Sequence, residues 1–389
     1  MSAAASLSAL RGGSRVLGNL FRIAPAQRRL LSSTQSRQAS KIIHFAKCSS
    51  PELDETLKTI RDELILPTYL PLEQRKKLSS PKHKAALERD PITVEIDGEL
   101  VHFGPRKVVD RPNARKTVGK AIRLIRTKGD LANLRPLLEG VCDQAGRALP
   151  PGIFISAMRK AVVLDNFNLI MDCIKAPKKT HFRLNNHELV AQLLGHIQRQ
   201  AILSGWEERE IERAIRRSQL VLDLLEGDPE HQVKQRKAQE KVNLAFPFHR
   251  DPIFLSARLH MHAALAVKCQ EGKDTTGLVA EYARQLVQLW PEKTGPLELQ
   301  PKSADTQYGV RYLRDSRNQF ENGSLVLSSL LLAAKVVEPE LAGHLKERAA
   351  LVEPVVKQWL PKGDALGYAW KTYDILFGPE NLIDHEVEA

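Results

Sequence analysis

Apolar residues recur at three- and four-residue spacing from about residue 113 almost to the end of the chain. That is the period of helices that each bury one face. The pattern predicts helices over 114–127, 130–146, 152–164, 166–176, 186–203, 207–226, 252–270, 275–290, 305–321, 324–336, 338–359 and 364–376, with Gly, Pro, Asn or Asp at most junctions. Residues 227–250, polar and then aromatic ("NLAFPFHRDP"), read as a linker to a C-terminal helical block over 251–380. Upstream, residues 32–112 read as an extended arm whose short helices are separated by Pro67, Pro71 and Pro81. Within the arm the period changes to two. Ile92, Val94 and Ile96 alternate with polar residues, Asp97-Gly98 supplies a tight turn, and Leu100, Val101 and Phe103 follow, which predicts a β-hairpin over 92–103. One hairpin cannot make a sheet domain, so it is expected to pack on the helices that follow it. The fold class is all-α, a solenoid-like array of helical hairpins with one small β-hairpin near the N-terminus.

Laid against itself at an offset of 35 residues, the chain matches "TVGKAIRLIRTKGDLANLRPLLEGV", from Thr117, to "GIFISAMRKAVVLDNFNLIMDCIKA", from Gly152. Val118 falls on Ile153, Asp130 on Asp165, Asn133 on Asn168 and Leu134 on Leu169, and a third unit begins near His187. Two amphipathic helices per unit of this length is the period of tetratricopeptide-type arrays, although helical bundles also produce matches of this kind. Residues 117–226, within a repeat region over 113–226, resemble degenerate pentatricopeptide units, with "ISAMRKAVVLDNFNLIMDCIKA" showing a first helix, a short turn and a second helix. The resemblance implies RNA binding in an organelle, and it does not fix which positions would read bases. The segments "LSARLHMHAALAVKC" and "LVAEYARQLVQLWPE" look closer to a generic protein-binding hairpin.

Charge changes the picture at two places. Lys and Arg exceed Asp and Glu by 58 to 46 over the 389 residues, a formal net charge of +12. The first 51 residues hold no acid and are rich in Arg, Ser and Ala, with Leu10, Leu17, Leu20 and Phe21 near one helical face. This is the composition of a mitochondrial transit peptide. "RRLLSS" resembles a matrix processing site, with Arg29 three residues before a cut after Leu31 that leaves Ser32 first, so residues 1–31 are expected to be removed and the protein to work in the mitochondrial matrix. Elsewhere the basic excess concentrates in "GPRKVVDRPNARKTVGKAIRLIRTKGD" (104–130). There Arg106, Lys107, Arg111, Arg115, Lys116, Lys120, Arg123, Arg126 and Lys128 face one acid, Asp110, up to Lys128. At about 100° per residue, Val118, Ala121, Ile122 and Ile125 form one stripe and Lys116, Lys120 and Arg123 the opposite one. These nine bases are the expected nucleic-acid contact, with the Pro-punctuated part before 114 extended along a phosphate backbone.

Catalytic patterns do not appear. "ARKTVGKA" (114–121) lacks the first Gly and the last Ser or Thr of a phosphate loop. His260 and His262, two apart on a helix, point about 200° apart and cannot share a metal. Cys48, Cys142, Cys173 and Cys269 are widely spaced, as isolated thiols in a reducing compartment are. Neither an enzymatic activity, a cofactor, a metal nor a membrane span is expected. The expected partners are RNA (rRNA or mRNA) and ribosomal or other mitochondrial proteins, in a mitochondrial ribosome component or translation factor. The alternative reading is a protein-binding scaffold or assembly factor for a respiratory-chain complex, which would suit the near-neutral charge of residues 130–389.

Overall fold

The computed structural model describes residues 42–106, 112–232, 246–299, 316–361 and 367–378. Among the described residues the fold is all-α apart from one two-stranded hairpin. In order, the elements are α1 (Pro51–Ile60), α2 (Leu72–Leu78), α3 (Lys84–Arg89), β1 (Ile92–Ile96), β2 (Glu99–Phe103), α4 (Ala114–Leu124), α5 (Lys128–Leu131), α6 (Leu134–Glu139), α7 (Pro151–Val163), α8 (Phe167–Ile174), α9 (Pro177–Thr180), α10 (His187–Leu203), α11 (Glu208–Gly227), α12 (Pro252–Cys269), α13 (Leu278–Leu289), α14 (Ser316–Ala334), α15 (Pro339–Lys357) and α16 (Tyr368–Phe377).

The three units of the self-match supply α4, α7 and α10 as their first helices. These pack in succession, α4 on α7 and α7 on α10, while α8 packs on α7 and α11 on α10. Side chains bridge the steps: Lys160 Nζ of α7 donates to the Arg123 carbonyl of α4 at 3.2 Å, and Arg159 Nε of α7 donates to Gln192 Oε1 of α10 at 3.2 Å. The array continues directly from α11 onto α12, then to α13, α14 and α15, with α16 lying against α14 and α10. One continuous apolar core runs from Leu53 to Ala369. The segment expected as a linker therefore joins helices that share a core, and its Phe248 is buried against His187 and Phe254.

Several expectations need correcting. Residues 51–65, expected as part of an extended arm, are built into the main core: α1 packs on α4, and Leu53, Leu57, Ile60, Leu64 and Ile65 are buried there. The hairpin has the expected register, Ile92 opposite Phe103 and Ile96 opposite Glu99, with positive φ at Asp97 and Gly98 as a primed two-residue turn requires. Yet it packs on the segments before it. Ile96, Val101 and Phe103 close a second, smaller core with Ile42, Leu66, Leu70, Leu78 and Leu87. The helix predicted over 130–146 is broken into α5, α6 and a π-turn at Gly140–Gln144. Pro136 has no N–H to offer the preceding turn, and the Asn133 side chain is engaged with Ala46 instead. Finally, 316–334 is one helix where Gly323 suggested a break, and residues 305–315 lie outside the described ones. A Cβ on Gly323 would sit 2.9 Å from Val356 Cγ2, so the glycine lets α14 and α15 approach closely.

Candidate nucleic-acid interface

The basic stretch folds around α4. Asn113 caps the helix, its Oδ1 accepting from the Lys116 amide at 3.1 Å. Val118, Ala121, Ile122 and Ile125, the predicted apolar stripe, are all at most 2% exposed and pack towards α1 and α7. Burying that stripe leaves Arg115, Lys116, Lys120 and Arg123 in solvent. After Leu124 the backbone turns extended at Ile125 (φ −58°, ψ 122°), and Thr127 and Asp130 form a reciprocal capping box that starts α5. Arg126 lies in this tight turn. Its amide donates to Asp130 Oδ2 at 3.0 Å, and its side chain is exposed.

The nine predicted bases do not all have the same surroundings. Arg115, Lys116, Arg123 and Arg126 have no acidic partner among the described residues. Lys120 reaches Glu52 of α1 at 2.9 Å, and Lys128 reaches Asp165, at the end of α7, at 3.1 Å. Both pairs are solvent-exposed and so are weak and easily screened. Acids absent from the local sequence thus arrive from neighbouring elements. Arg106 is half-buried and turned inward: it donates to the Asp62 and Glu63 carbonyls, lies 3.5 Å from the Glu63 carboxylate, and its own amide donates to Leu78 O at 2.7 Å. Lys107 and Arg111 lie outside the described residues, as do Arg29, Leu31 and Ser32. One base that local reading missed joins the group. Lys160 of α7 sits with its ammonium against the last turn of α4, 3.2 Å from the Arg123 carbonyl. Only the crossing of α4 and α7 puts it there, so nothing in the sequence near 104–130 could signal it.

Such a surface offers cationic donors on a rigid helix and no chemistry beyond that. It can neutralise phosphates in a row and offers no aromatic platform for stacked bases, since no Phe, Tyr or Trp lies over 112–128. Elsewhere, His260 is wholly buried, its ring nitrogens 2.8 Å from Gln198 Oε1 and 2.9 Å from Ser328 Oγ, while His262 packs edge-on to Tyr282. The buried thiols of Cys142 and Cys173 are pushed up to about 12 by desolvation, which leaves them unreactive. Among the described residues no group of three or more His, Cys, Asp or Glu could hold a metal, and no helix is long and apolar enough to cross a membrane.

Comparison with known proteins bears on the whole length rather than on this face. The family model described as mitochondrial ribosomal protein mS27 matches residues 29–375. The small ribosomal subunit protein mS27 of Neurospora crassa is 38% identical over 396 residues, covering 97% of this chain and 99% of that protein. Similarity of this extent reaches from the N-terminal basic segment through both apolar cores to α16, and the chain therefore belongs to the mS27 family of mitochondrial ribosomal proteins.

Proposed function

We propose that this mitochondrial ribosome component, which works in the matrix with rRNA and ribosomal proteins as its partners, is a structural protein of the small subunit that grips rRNA phosphates with the exposed face of α4. The observation that carries the reading is the group Arg115, Lys116, Arg123 and Arg126, exposed on one helix and the turn after it without an acidic partner among the described residues. Like charges so placed repel one another until an anion neutralises them, and the nearby ion pairs of Lys120 and Lys128 are exposed enough for phosphate to displace. Lys160 extends the face across to α7. The role is architectural rather than enzymatic, since the surface supplies charge and shape only.

Changing Arg115, Lys116, Arg123 and Arg126 to Gln tests this. The variant is expected to keep its fold, because the buried stripe is untouched, and to leave the small subunit at a lower salt concentration in stepped sedimentation of mitochondrial lysate. Retention at the same salt as the unaltered chain would sink the α4 assignment. The N-terminal reading is tested separately. A mature chain that begins near Ser32 by N-terminal sequencing supports a cut after Leu31, and an intact Met1 in mitochondria overturns it.

A further inference from the structure

A second basic surface lies outside the α4 face. Residues 71–90 carry Arg75, Lys76, Lys77, Lys82, Lys84 and Arg89 against Glu73, Glu88 and Asp90. Only Leu78 and Leu87 of this segment are buried, both in the small core that also holds the hairpin. Each short helix is thus pinned by one leucine, and the polar remainder of α2 and α3 looks outward. Glu73 lies 3.4 Å from Lys76 and Glu88 lies 3.7 Å from Lys84, both near neighbours along the chain with more than half of each side chain exposed. Lys77, Lys82 and Arg89 have no ion-pair partner among the described residues. Four lysines, 76, 77, 82 and 84, therefore flank the Ser79-Ser80-Pro81 turn with little internal compensation.

The module that displays them is fixed to the body. Arg61, directly after α1, donates to both oxygens of Glu99 in β2 at 3.0 Å, Tyr69 Oη donates to Gln144 Oε1 at 2.6 Å, and Arg106 holds Leu78 O with its amide and the residue 62–63 carbonyls with its guanidinium. Since α1 itself packs on α4, the two basic surfaces ride on one rigid frame. Phosphate suits the second surface better than an acidic protein segment does. Lysine binds phosphate as a compact point charge and needs no planar bidentate partner, so a row of backbone phosphates at irregular distances satisfies four flexible ammonium groups. Segment 71–90 has no Phe, Tyr or Trp on which unpaired bases could stack. A helical stretch of RNA, read through its backbone, needs neither.

We infer that Lys76, Lys77, Lys82 and Lys84 form a second contact with a helical rRNA backbone, separate from α4, so that the chain holds its RNA at two points of a fixed frame. The inference rests on the rRNA reading given above. The test uses the full chain and transcribed mitochondrial small-subunit rRNA, with affinity measured against salt. Three proteins are compared: unaltered, Lys76→Gln/Lys77→Gln/Lys82→Gln/Lys84→Gln, and the α4 quadruple variant. Each duplex phosphate contact contributes about 0.9 to the slope of log K against log salt. The four-lysine variant should therefore lower the slope by about 2 to 4, with the α4 variant lowering it independently. An unchanged slope for the lysine variant with a reduced one for the α4 variant overturns the second contact and leaves the α4 reading standing. Unchanged slopes for both overturn both. Normal RNA binding by the lysine variant with loss from the particle would assign the surface to a protein partner and likewise overturn the inference. Should the quadruple change disturb folding, judged by its thermal melt, Lys77→Glu/Lys82→Glu at two exposed unpaired positions gives the same reading.

Discussion

Asp130 shows how much one side chain can organise. It is 1% exposed, yet it is ionised, because its two oxygens accept from the Ser49 amide (2.7 Å), the Ser49 hydroxyl (2.7 Å) and the amides of Arg126 and Thr127 (both 3.0 Å). Burial by itself would raise its carboxyl, but these donors outweigh that and hold it well below the usual carboxylate range. Asn133 clasps the same segment, accepting from the Ala46 amide at 2.7 Å and donating to its carbonyl at 2.9 Å. Together they tie the segment before α1 to the turn that displays Arg126. Asp130→Asn keeps the shape but in either orientation turns its NH₂ towards at least one backbone N–H and removes the charge the other donors bind, so we expect a loss of roughly 2–4 kcal/mol in stability, measured by urea melts. The sign of the pH effect follows. A depressed carboxyl contributes stability above its unfolded value of about 4, and that contribution is lost as pH falls through the folded value. The variant should therefore show a shallower decline below pH 4 than the unaltered chain. Asp165, its counterpart in the next unit, has its side chain 87% exposed and pairs with Lys128, so the repeat match carries position and not role.

At the scale of elements, α4 is what its pattern says: one stripe in, one stripe out. Ile122 at its centre is 1% exposed, and Ile122→Ala should cost about 2–4 kcal/mol through the cavity it leaves. The α14–α15 pair is less transparent. In an isolated helix Gly323→Ala would gain about 1 kcal/mol from propensity. Here the added methyl meets Val356 Cγ2 at 2.9 Å, and Val356 is β-branched and 1% exposed, so it has no rotamer to retreat into. The expected result is a net loss of about 1–2 kcal/mol, a few degrees in melting temperature. The double variant Gly323→Ala/Val356→Ala should be more stable than the sum of the two single effects predicts, since each change relieves the other's defect.

For the molecule as a whole, the continuous main core from α1 to α16 implies one cooperative unit. Removing 152–185 deletes α7, α8 and α9 from between α4 and α10, and exposes the apolar faces of both neighbours. A chain lacking these residues should show no sharp thermal transition in circular dichroism, and a sharp one would count against the continuous core. The same burial sets the response to acid. Desolvation holds His187, His196 and His260 near 3, against an ordinary value of 6.5. Between those values the unfolded chain takes up protons that the native one refuses, so stability falls as pH drops below about 6.5. Each such histidine contributes about 1.4 kcal/mol per pH unit over that window. Urea midpoints at pH 7.5 and 5.5 should differ clearly. His260→Gln, which can still bond Gln198 and Ser328, should reduce the difference.

What the sequence determined by itself was everything carried by local period and local charge. The helical character of the described chain from 114 onward, the Asp97-Gly98 hairpin turn and the two stripes of α4 follow from residues within a few turns of one another, where backbone geometry decides which side chains share a face, whereas the break of 130–146 and the continuity of α14 through Gly323 did not. What only the tertiary structure decided involves partners distant in sequence. Glu52 and Asp165 temper Lys120 and Lys128, Arg106 turns inward to Asp62 and Glu63, Lys160 joins the α4 face, and Gly323 marks a close approach instead of a helix end. The hairpin, too, packs on the segments before it, against Leu66, Leu70, Leu78 and Leu87. Periodicity reports the face that a segment must bury. It carries no information about which other segment will cover it, because burial is non-directional and any apolar surface of the right shape will serve.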